Sequence, residues 1–143
     1  MRPIRLALWT TLLATMLLGA GCGGGDSAPP PVDHVLETEV TQSTLANSVL
    51  VRGPYQLPED AVVSWTVVDV PSESGPNSLD VALATAASVD AGGTLVAFGT
   101  QTGVSSTTGE TQPLPANNAY DFVAFCRNPV VACTFRLTLV ANY

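Results

Sequence analysis

Groups that could activate a nucleophile are scarce in this chain of 143 residues. The only histidine, His34, follows a proline-rich stretch, where a general base would be poorly positioned. The sequence has no lysine that could form a Schiff base. Glu59 and Asp60 are neighbours at a predicted turn, and no opposed pair of carboxylates can be identified. We therefore predict a non-catalytic protein without cofactors; a hydrolase would need a pocket in which carboxylates converge.

Oxygen-bearing side chains around the segment 70–79 could bind calcium, which prefers carboxylate and amide oxygens. Their spacing differs from that of an EF-hand loop, so the alternative is a set of solvated carboxylates at a turn. The candidate metal ligands are Asp69, Glu73 and Asp80, with Asn77 between them.

Two aromatic residues are candidates for contact with a ligand. Tyr55 lies in a predicted turn, Gly53-Pro54-Tyr55, and is the better candidate for an exposed ligand-binding aromatic. Trp65 shares a predicted strand face with Val63 and Val67, which favours packing in the core over a ligand platform.

The segment before Cys22 has the parts of an export signal. Arg2 and Arg5 form a positive start, Leu6–Leu18 is apolar apart from threonines, and small residues follow. The apolar stretch is shorter than the ~20 residues that a membrane-spanning helix needs. We therefore expect cleavage before Cys22; the alternatives are an ordinary secretory signal or an N-terminal helix that happens to contain a cysteine.

The sequence Leu18-Gly19-Ala20-Gly21-Cys22 resembles the lipobox of bacterial lipoproteins. This resemblance implies that Cys22 is diacylated at sulfur and acylated at its new amino terminus, with chains such as palmitate. Several acyl chains on one residue anchor a protein stably. Gly23 follows the cysteine where Asp could stand, and in Gram-negative lipoproteins this implies sorting to the outer membrane.

Because the lipid would consume Cys22, Cys126 and Cys133 remain as an even pair in an oxidising compartment. We predict a disulfide between them, which would stabilise the fold by about 2–3 kcal/mol through closure of a short loop. A metal site is the alternative, but two thiols and the distant His34 do not complete a tetrahedral shell.

The chain divides into a signal peptide at residues 1–21, an acylated cysteine with a Gly/Pro-rich tether at 22–33, and one domain at 34–143. Loss of the signal would leave three arginines against twelve acidic residues, a formal net charge of −9. Such a charge argues against nucleic-acid partners and against electrostatic docking on anionic lipid. Attachment to the membrane must then come from the acyl chains.

Short runs of β-branched and aromatic residues alternate with Gly, Pro, Asn and Ser clusters, which is typical of an all-β, antiparallel sandwich. No window has a convincing helical period, although the alanines of Leu79–Ala87 would also suit a short helix. The segment Val104–Thr111 is predicted as either an edge strand or a loop. The candidate strands are Val35–Gln42, Leu45–Arg52, Ala61–Val70, Leu79–Ala86, Thr94–Thr100, Val104–Thr111, Tyr120–Arg127 and Ala132–Asn142.

The last two strands are predicted to form a hairpin in which Cys126 faces Cys133. That register pairs Phe122 with Leu137 and places the apolar residues on one face. The other face is predicted to be more polar, with Asp121 and Arg136 one diagonal apart and able to pair. That face carries Asp121, Val123, Phe125, Thr134, Arg136 and Thr138. The remaining predicted pairs are Tyr120 with Leu139 and Ala124 with Phe135.

The strand containing Trp65, the segment Asp80–Leu83 and the two terminal strands resemble the jelly-roll domains known as bacterial pre-peptidase C-terminal domains, over about Leu45–Tyr143. The resemblance implies a jelly-roll-like sandwich of about seven or eight strands and a non-catalytic accessory role. We therefore expect a lipid-anchored module of the cell envelope that interacts with an envelope protein or has a structural role. The alternative is a carbohydrate-binding module that uses Tyr55 and loop carboxylates, with or without calcium.

Overall fold

Eight antiparallel strands and one short helix make up most of residues 29–73 and 75–143, the part of the chain that this computed structural model describes. The predicted signal peptide and Cys22 lie outside the described residues. The elements are β1 (Asp33–Thr44), β2 (Val49–Leu57), β3 (Val62–Asp69), β4 (Leu79–Thr85), α1 (Ala86–Asp90), β5 (Ala97–Val104), β6 (Thr107–Glu110), β7 (Asn118–Cys126) and β8 (Cys133–Asn142).

The strands form two four-stranded sheets, ordered β1-β8-β3-β6 (sheet 1) and β2-β7-β4-β5 (sheet 2). The pairs β1/β8, β2/β7, β3/β6 and β4/β5 are those of one long hairpin whose tip contains α1. Wrapping that hairpin brings β3 beside β8 and β4 beside β7. This is a double-sheet jelly roll, and the predicted all-β sandwich is confirmed.

Alternate residues of the central strands face the space between the sheets. Trp65 on β3 is 2% exposed and lies between buried Val63 and Val67. Its indole meets the ring of Phe122 on β7 edge-to-face, with centroids 6.5 Å apart. The prediction that Trp65 packs in the core is confirmed.

Two glycines on the edge strands β5 and β6 make room for this indole. A methyl group on Gly99 of β5 would lie 2.2 Å from Cη2 of Trp65. A methyl group on Gly109 of β6 would lie 2.5 Å from Cζ2. The backbones of β5 and β6 therefore pack directly on the ring, where any larger residue would collide with it.

The predicted hairpin of the last two strands is wrong, because β7 belongs to sheet 2 and β8 to sheet 1. Phe122 and Leu137 are both buried as predicted, but they belong to opposite sheets of the sandwich. An alternating strand buries its apolar face equally well against a facing sheet, so alternation did not separate the two arrangements. Asp121 and Arg136, predicted to pair, lie on the outer faces of different sheets.

The predicted disulfide between Cys126 and Cys133 is confirmed, with Cα atoms 5.8 Å apart. It joins the last residue of β7 to the first residue of β8 and therefore links the two sheets. Asn128 organises the connection between them, since its Oδ1 accepts hydrogen bonds from the N–H groups of Val130 and Val131.

The predicted turn at Gly53-Pro54-Tyr55 is instead part of β2. The pairing of β2 with β7 shifts between Arg52 and Tyr55, so these residues form an irregularity within a continuing strand. Gly53 has a φ of +139°, a conformation that favours glycine. Proline is tolerated because β2 is an edge strand and one side of it needs no ladder hydrogen bonds.

The structure also resolves the two ambiguous segments. The alanine-rich segment is divided between β4 and α1, so it contains both the predicted strand and a short helix. Within Val104–Thr111, the edge-strand interpretation is confirmed, since the four-residue β6 lies at the edge of sheet 1. The strand predicted at Thr94–Thr100 begins later, at Ala97.

Candidate binding groove

The outer face of sheet 2 carries apolar side chains where a solvated sheet face normally carries polar ones. Val49 and Val51 of β2 lie opposite Phe125 and Val123 of β7. Ala82 of β4 lies on the other side of Val123. Val49 and Val51 are 58% and 43% exposed, so this apolar floor is open to solvent.

Helix α1 and the segment 91–96 form a wall beside this floor. Val89 of α1 and Leu95 of the segment line the groove on this side. The floor is deep at Ala82, because the side chain of this residue is a single methyl group. The resulting groove has a volume of about 460 Å³. That volume lies within the range of about 300–1,000 Å³ that is usual for ligand sites.

The 91–96 segment of the wall is held by hydrogen bonds at its two ends. At its start, the N–H groups of Ala91 and Gly92 donate to the carbonyls of Ala87 and Val89, at 3.2 and 3.1 Å. The N–H of Val96 donates to Ser88 Oγ at 3.1 Å, and the N–H of Thr85 donates to the carbonyl of Val96 at 3.0 Å. Gly92 and Gly93, near the middle, have open space where a side chain would lie. Residues 91–96 are all exposed. This wall therefore has few contacts to hold it in one position.

Asp80 marks the polar end of the groove near the β7 terminus. Its Oδ1 accepts hydrogen bonds from Arg127 Nε at 2.6 Å and from the N–H of Gly103 at 2.8 Å. Burial alone would raise the pKa of Asp80, but the bonds from Arg127 and Gly103 hold this pKa below its ordinary value. Asp80 is therefore a partnered, ionised group.

Asp121 lies at the opposite end of the same face, one cross-strand row beyond Val123. It is only 4% exposed. Burial, and then the nearby carboxylate of Asp90 on α1, raise the pKa of Asp121 above its ordinary value. Asp121 therefore lies on the same sheet face as the groove but is not among the residues that line it, and its pKa is shifted in the direction opposite to that of Asp80.

Tyr55, the predicted ligand-binding aromatic, lies away from this groove. Its ring is half-buried and packs against the core between the sheets. Its hydroxyl donates to Glu37 Oε1 on β1 at 2.9 Å, and Arg52 Nη2 donates to the same oxygen at 2.8 Å. Burial and the bond to Glu37 raise the pKa of Tyr55. The three residues bridge the β1 and β2 edges of the sandwich, which is a structural position.

The structure does not bring the three candidate metal ligands together. Asp69 accepts hydrogen bonds from the backbone and side chain of buried Asn77, which in turn bonds to Thr134 of β8. Asp80 is paired with Arg127, and Glu73 is exposed. Within residues 29–73 and 75–143, no group of three or more His, Cys, Asp or Glu side chains is arranged to hold a metal ion.

His34 stacks on Tyr143, with ring centroids 3.9 Å apart and planes nearly parallel. The pair lies in sheet 1, where the start of β1 runs beside the end of β8, whereas the groove is on sheet 2. The histidine therefore has a packing contact at the terminal edge of sheet 1.

Neither a known protein-family profile nor a curated protein matches this chain. In the part of the chain that the structure describes, no helix is both long and apolar enough to cross a membrane.

The groove was not predicted from the sequence, although β7 carries a signal for it. The run Phe122–Cys126 is apolar on both strand faces, a pattern typical of a strand covered on both sides. Val49 to Val51 of β2 are likewise apolar at successive positions. Two adjacent strands with apolar residues on both faces predict a second apolar surface outside the core.

Proposed function

We propose that this protein is a lipid-anchored, non-catalytic module of the cell envelope that binds a partner protein through the groove on sheet 2. The observation that carries the proposal is the exposure of Val49 and Val51, which form an apolar floor with Val123 in a groove of about 460 Å³. Exposed apolar surface of this kind marks interaction sites, because covering it removes it from water.

The anchor and the compartment rest on the sequence. The positive start, the apolar stretch, the small residues and Cys22 are the features of a lipoprotein signal. The disulfide fits an oxidising, extracytoplasmic location. We place the protein in the cell envelope, at the outer membrane of a Gram-negative bacterium, with acyl chains on Cys22 as its membrane contact.

A protein partner fits the groove better than a glycan does. Sugar rings are usually held by exposed aromatic faces with polar groups around them, whereas Tyr55 is between the sheets and bonded to Glu37. The floor and wall are mainly aliphatic, with half-buried Phe125 as the aromatic side chain that lines the groove. Such a surface complements the apolar side chains of a polypeptide.

Site-specific photocrosslinking in living cells tests this function. A photoreactive side chain replaces Val51, in the groove, or Val68, a matched valine on β3 that is 38% exposed on sheet 1. We expect a discrete protein adduct from position 51 and none of that size from position 68. The variant Ala82→Phe, which fills the groove floor, should remove the adduct. Equal adducts from both positions, or adducts to glycan alone, would contradict a groove-specific protein partner.

A further inference from the structure

The edge strands of the sandwich differ in how well their free side is protected. In the described residues, the edges are β1 and β6 of sheet 1 and β2 and β5 of sheet 2. Short strands, bulges, proline and charged side chains protect an edge from pairing with other polypeptides. The registers of β1 and β5 are each interrupted twice, and the four-residue β6 ends with exposed Glu110. The regular stretch 40–44 of β1 exposes polar Thr41 and Ser43.

The start of β2 is an apolar edge without these protections. Residues 49–52 pair with β7 without interruption, and the register shifts only after Arg52. The outward side chains of this stretch are Val49 and Val51, which are 58% and 43% exposed. Arg52, its charged residue, is held by Glu37 of β1 at 2.8 Å. Regular pairing and exposed valines make this stretch a template for a further strand.

The backbone groups of Val49 and Val51 point away from β7. The N–H of Cys126 donates to the carbonyl of Ser48 at 2.9 Å, so these two residues form a hydrogen-bonded pair. Hydrogen-bonded and non-hydrogen-bonded pairs alternate along an antiparallel ladder. Leu50 therefore bonds to β7, whereas the N–H and carbonyl groups of Val49 and Val51 face the free edge of sheet 2.

The side chains of the same two valines are exposed because they lie at this edge. Val49 and Val51 have Phe125 and Val123 of β7 opposite them, and the described residues supply no strand on their other side. A strand added there would place its own side chains about 4.5–5.5 Å from the valines on the outer face. Its contact would be continuous with the groove, because both valines also line the groove.

We propose that the partner protein contributes an extended strand that adds to the free edge of β2, with its backbone bonded to Val49 and Val51. This proposal rests on the proposed binding function of the groove and adds the conformation and chemistry of the partner segment. N–H and carbonyl groups at strand spacing are matched by another strand, which favours a polypeptide over a lipid or a glycan. Aliphatic or β-branched side chains on alternate residues of the segment complete the contact.

The length of the free edge limits the segment. The edge begins at Val49 and is interrupted at Gly53, whose φ is +139°, and at Pro54, which has no N–H to offer. Four residues of strand span about 13 Å. The partner therefore pairs over about four or five residues, two of which present apolar side chains beside Val49 and Val51.

Charge argues against pairing between two copies of this edge. The mature chain would carry a formal net charge of −9, from three arginines and twelve acidic residues. Two such chains repel each other. The added strand is therefore assigned to a different polypeptide, one that is not acidic.

Hydrogen exchange tests whether this edge is free and whether a strand adds to it. The sample is the soluble chain from Ser27 to Tyr143, which contains the whole compact unit Pro31–Tyr143. We expect NMR to show that the amides of Val49 and Val51 exchange at least about tenfold faster than that of Leu50. The blocked peptide Thr-Val-Thr-Val-Thr should slow the two valine amides. Valine amides as slow as that of Leu50 without peptide would overturn the proposal.

Methylated forms of the same peptide separate strand addition from burial of apolar side chains alone. One form carries N-methyl groups on both valines and the other on two threonines, so each form loses donors on one edge of the strand only. Fluorescence anisotropy with an uncharged fluorophore gives the affinities. We expect one form to bind at least about tenfold more weakly than the unmethylated peptide, and the other to bind within about threefold of it. Equal affinities of the two forms would overturn the proposal.

Val51→Pro removes a donor from the free edge without removing a bond to β7 and should abolish binding of the unmethylated peptide. Val51→Thr keeps that donor and is the matched control, which should bind. Binding that survives Val51→Pro, or a dimer of the wild type that Val51→Pro dissociates, would overturn the proposal. Absence of peptide binding up to about 1 mM would also count against it. A protein adduct from position 51 in cells would in each case leave the groove function standing.

Discussion

The close packing of the Trp65 indole depends on two glycines, which have no side chain. Gly99 and Gly109 let the edge strands of both sheets lie directly on the indole, so the ring is covered by backbone as well as by core side chains. Close packing of this kind is sensitive to one added methyl group, because neither a strand backbone nor a buried ring can move far.

Gly109→Ala should therefore lower the free energy of unfolding by about 1–3 kcal/mol, since the new methyl group would lie 2.5 Å from Trp65 Cζ2. Gly93→Ala is the control, because open space surrounds that position. Urea denaturation followed by tryptophan fluorescence measures both. Equal effects of the two substitutions would show that contact with Trp65 is not the cause.

Asp80, which lines the groove, and Asp121, on the same sheet face beyond it, should give opposite dependences of stability on pH. The pKa of Asp121 is raised in the folded state, so folding binds protons and stability falls as pH rises through that pKa. The pKa of Asp80 is lowered, so its contribution is present above its ordinary pKa and is lost as pH falls through the folded value.

Asp121→Asn should then increase stability at neutral pH and have a smaller effect in acid. Asp80→Asn should decrease stability at neutral pH, and that decrease should disappear in acid once the wild-type carboxyl is protonated. Urea titrations of both variants at several pH values measure these differences. A pH-independent effect of Asp121→Asn would mean that its pKa is the same in the folded and unfolded states.

At the scale of elements, the alternation of apolar and polar residues was sufficient to predict the strands but not which strands pair within a sheet. All eight predicted strands overlap observed ones, because a half-buried strand must alternate whichever sheet contains it. The assignment of β7 and β8 to one hairpin failed because two cysteines can approach closely along a ladder or across a sandwich. Their proximity alone did not decide between these two arrangements.

The incorrect pairing of β7 with β8 also prevented prediction of the groove from the sequence. The face predicted to be more polar combined Val123 and Phe125 of β7 with Thr134, Arg136 and Thr138 of β8. In the structure these sets lie on the outer faces of different sheets: β7 supplies the apolar residues and β8 the polar ones. Once the strands are separated, the apolar outer face of sheet 2 is evident in the sequence. Its wall is not, because it depends on how the 91–96 segment folds over β4.

Removal of the disulfide should weaken the link between β7 and β8. The double variant Cys126→Ser/Cys133→Ser should be less stable by about 2–3 kcal/mol, since the unfolded chain regains the freedom of the open loop. Comparison of urea midpoints for the variant and for the oxidised wild type measures this loss. An unchanged midpoint, or one unaffected by reduction of the wild type, would show that the bridge contributes nothing to stability.

Strands paired on both sides should exchange their amide protons most slowly. These strands are β3, β4, β7 and β8, whereas β6 is a four-residue edge strand and residues 91–96 are exposed. We expect native-state hydrogen exchange to protect the first group by the full stability of the domain and the second group by much less. Equal protection throughout would mean that the groove wall opens only on global unfolding.

At the scale of the whole molecule, the proposed location depends on a single residue. Cys22→Ala should abolish incorporation of labelled palmitate and prevent recovery of the mature chain in the membrane fraction, because no other cysteine precedes the domain. Cys126→Ser/Cys133→Ser is the control and should retain the label. Acyl labelling that persists in Cys22→Ala would refute the anchor.

The covalent link between the sheets also defines a path for mechanical force. In the proposed state, a partner pulls on sheet 2, whereas the lipid holds the chain through β1 of sheet 1. Tension on β7 passes through the Cys126–Cys133 bond into β8, which is hydrogen-bonded along its length to β1. Without that bond, the tension would have to cross the interface between the sheets through side-chain packing and the connecting loops. The disulfide would then carry the mechanical load between a bound partner and the membrane.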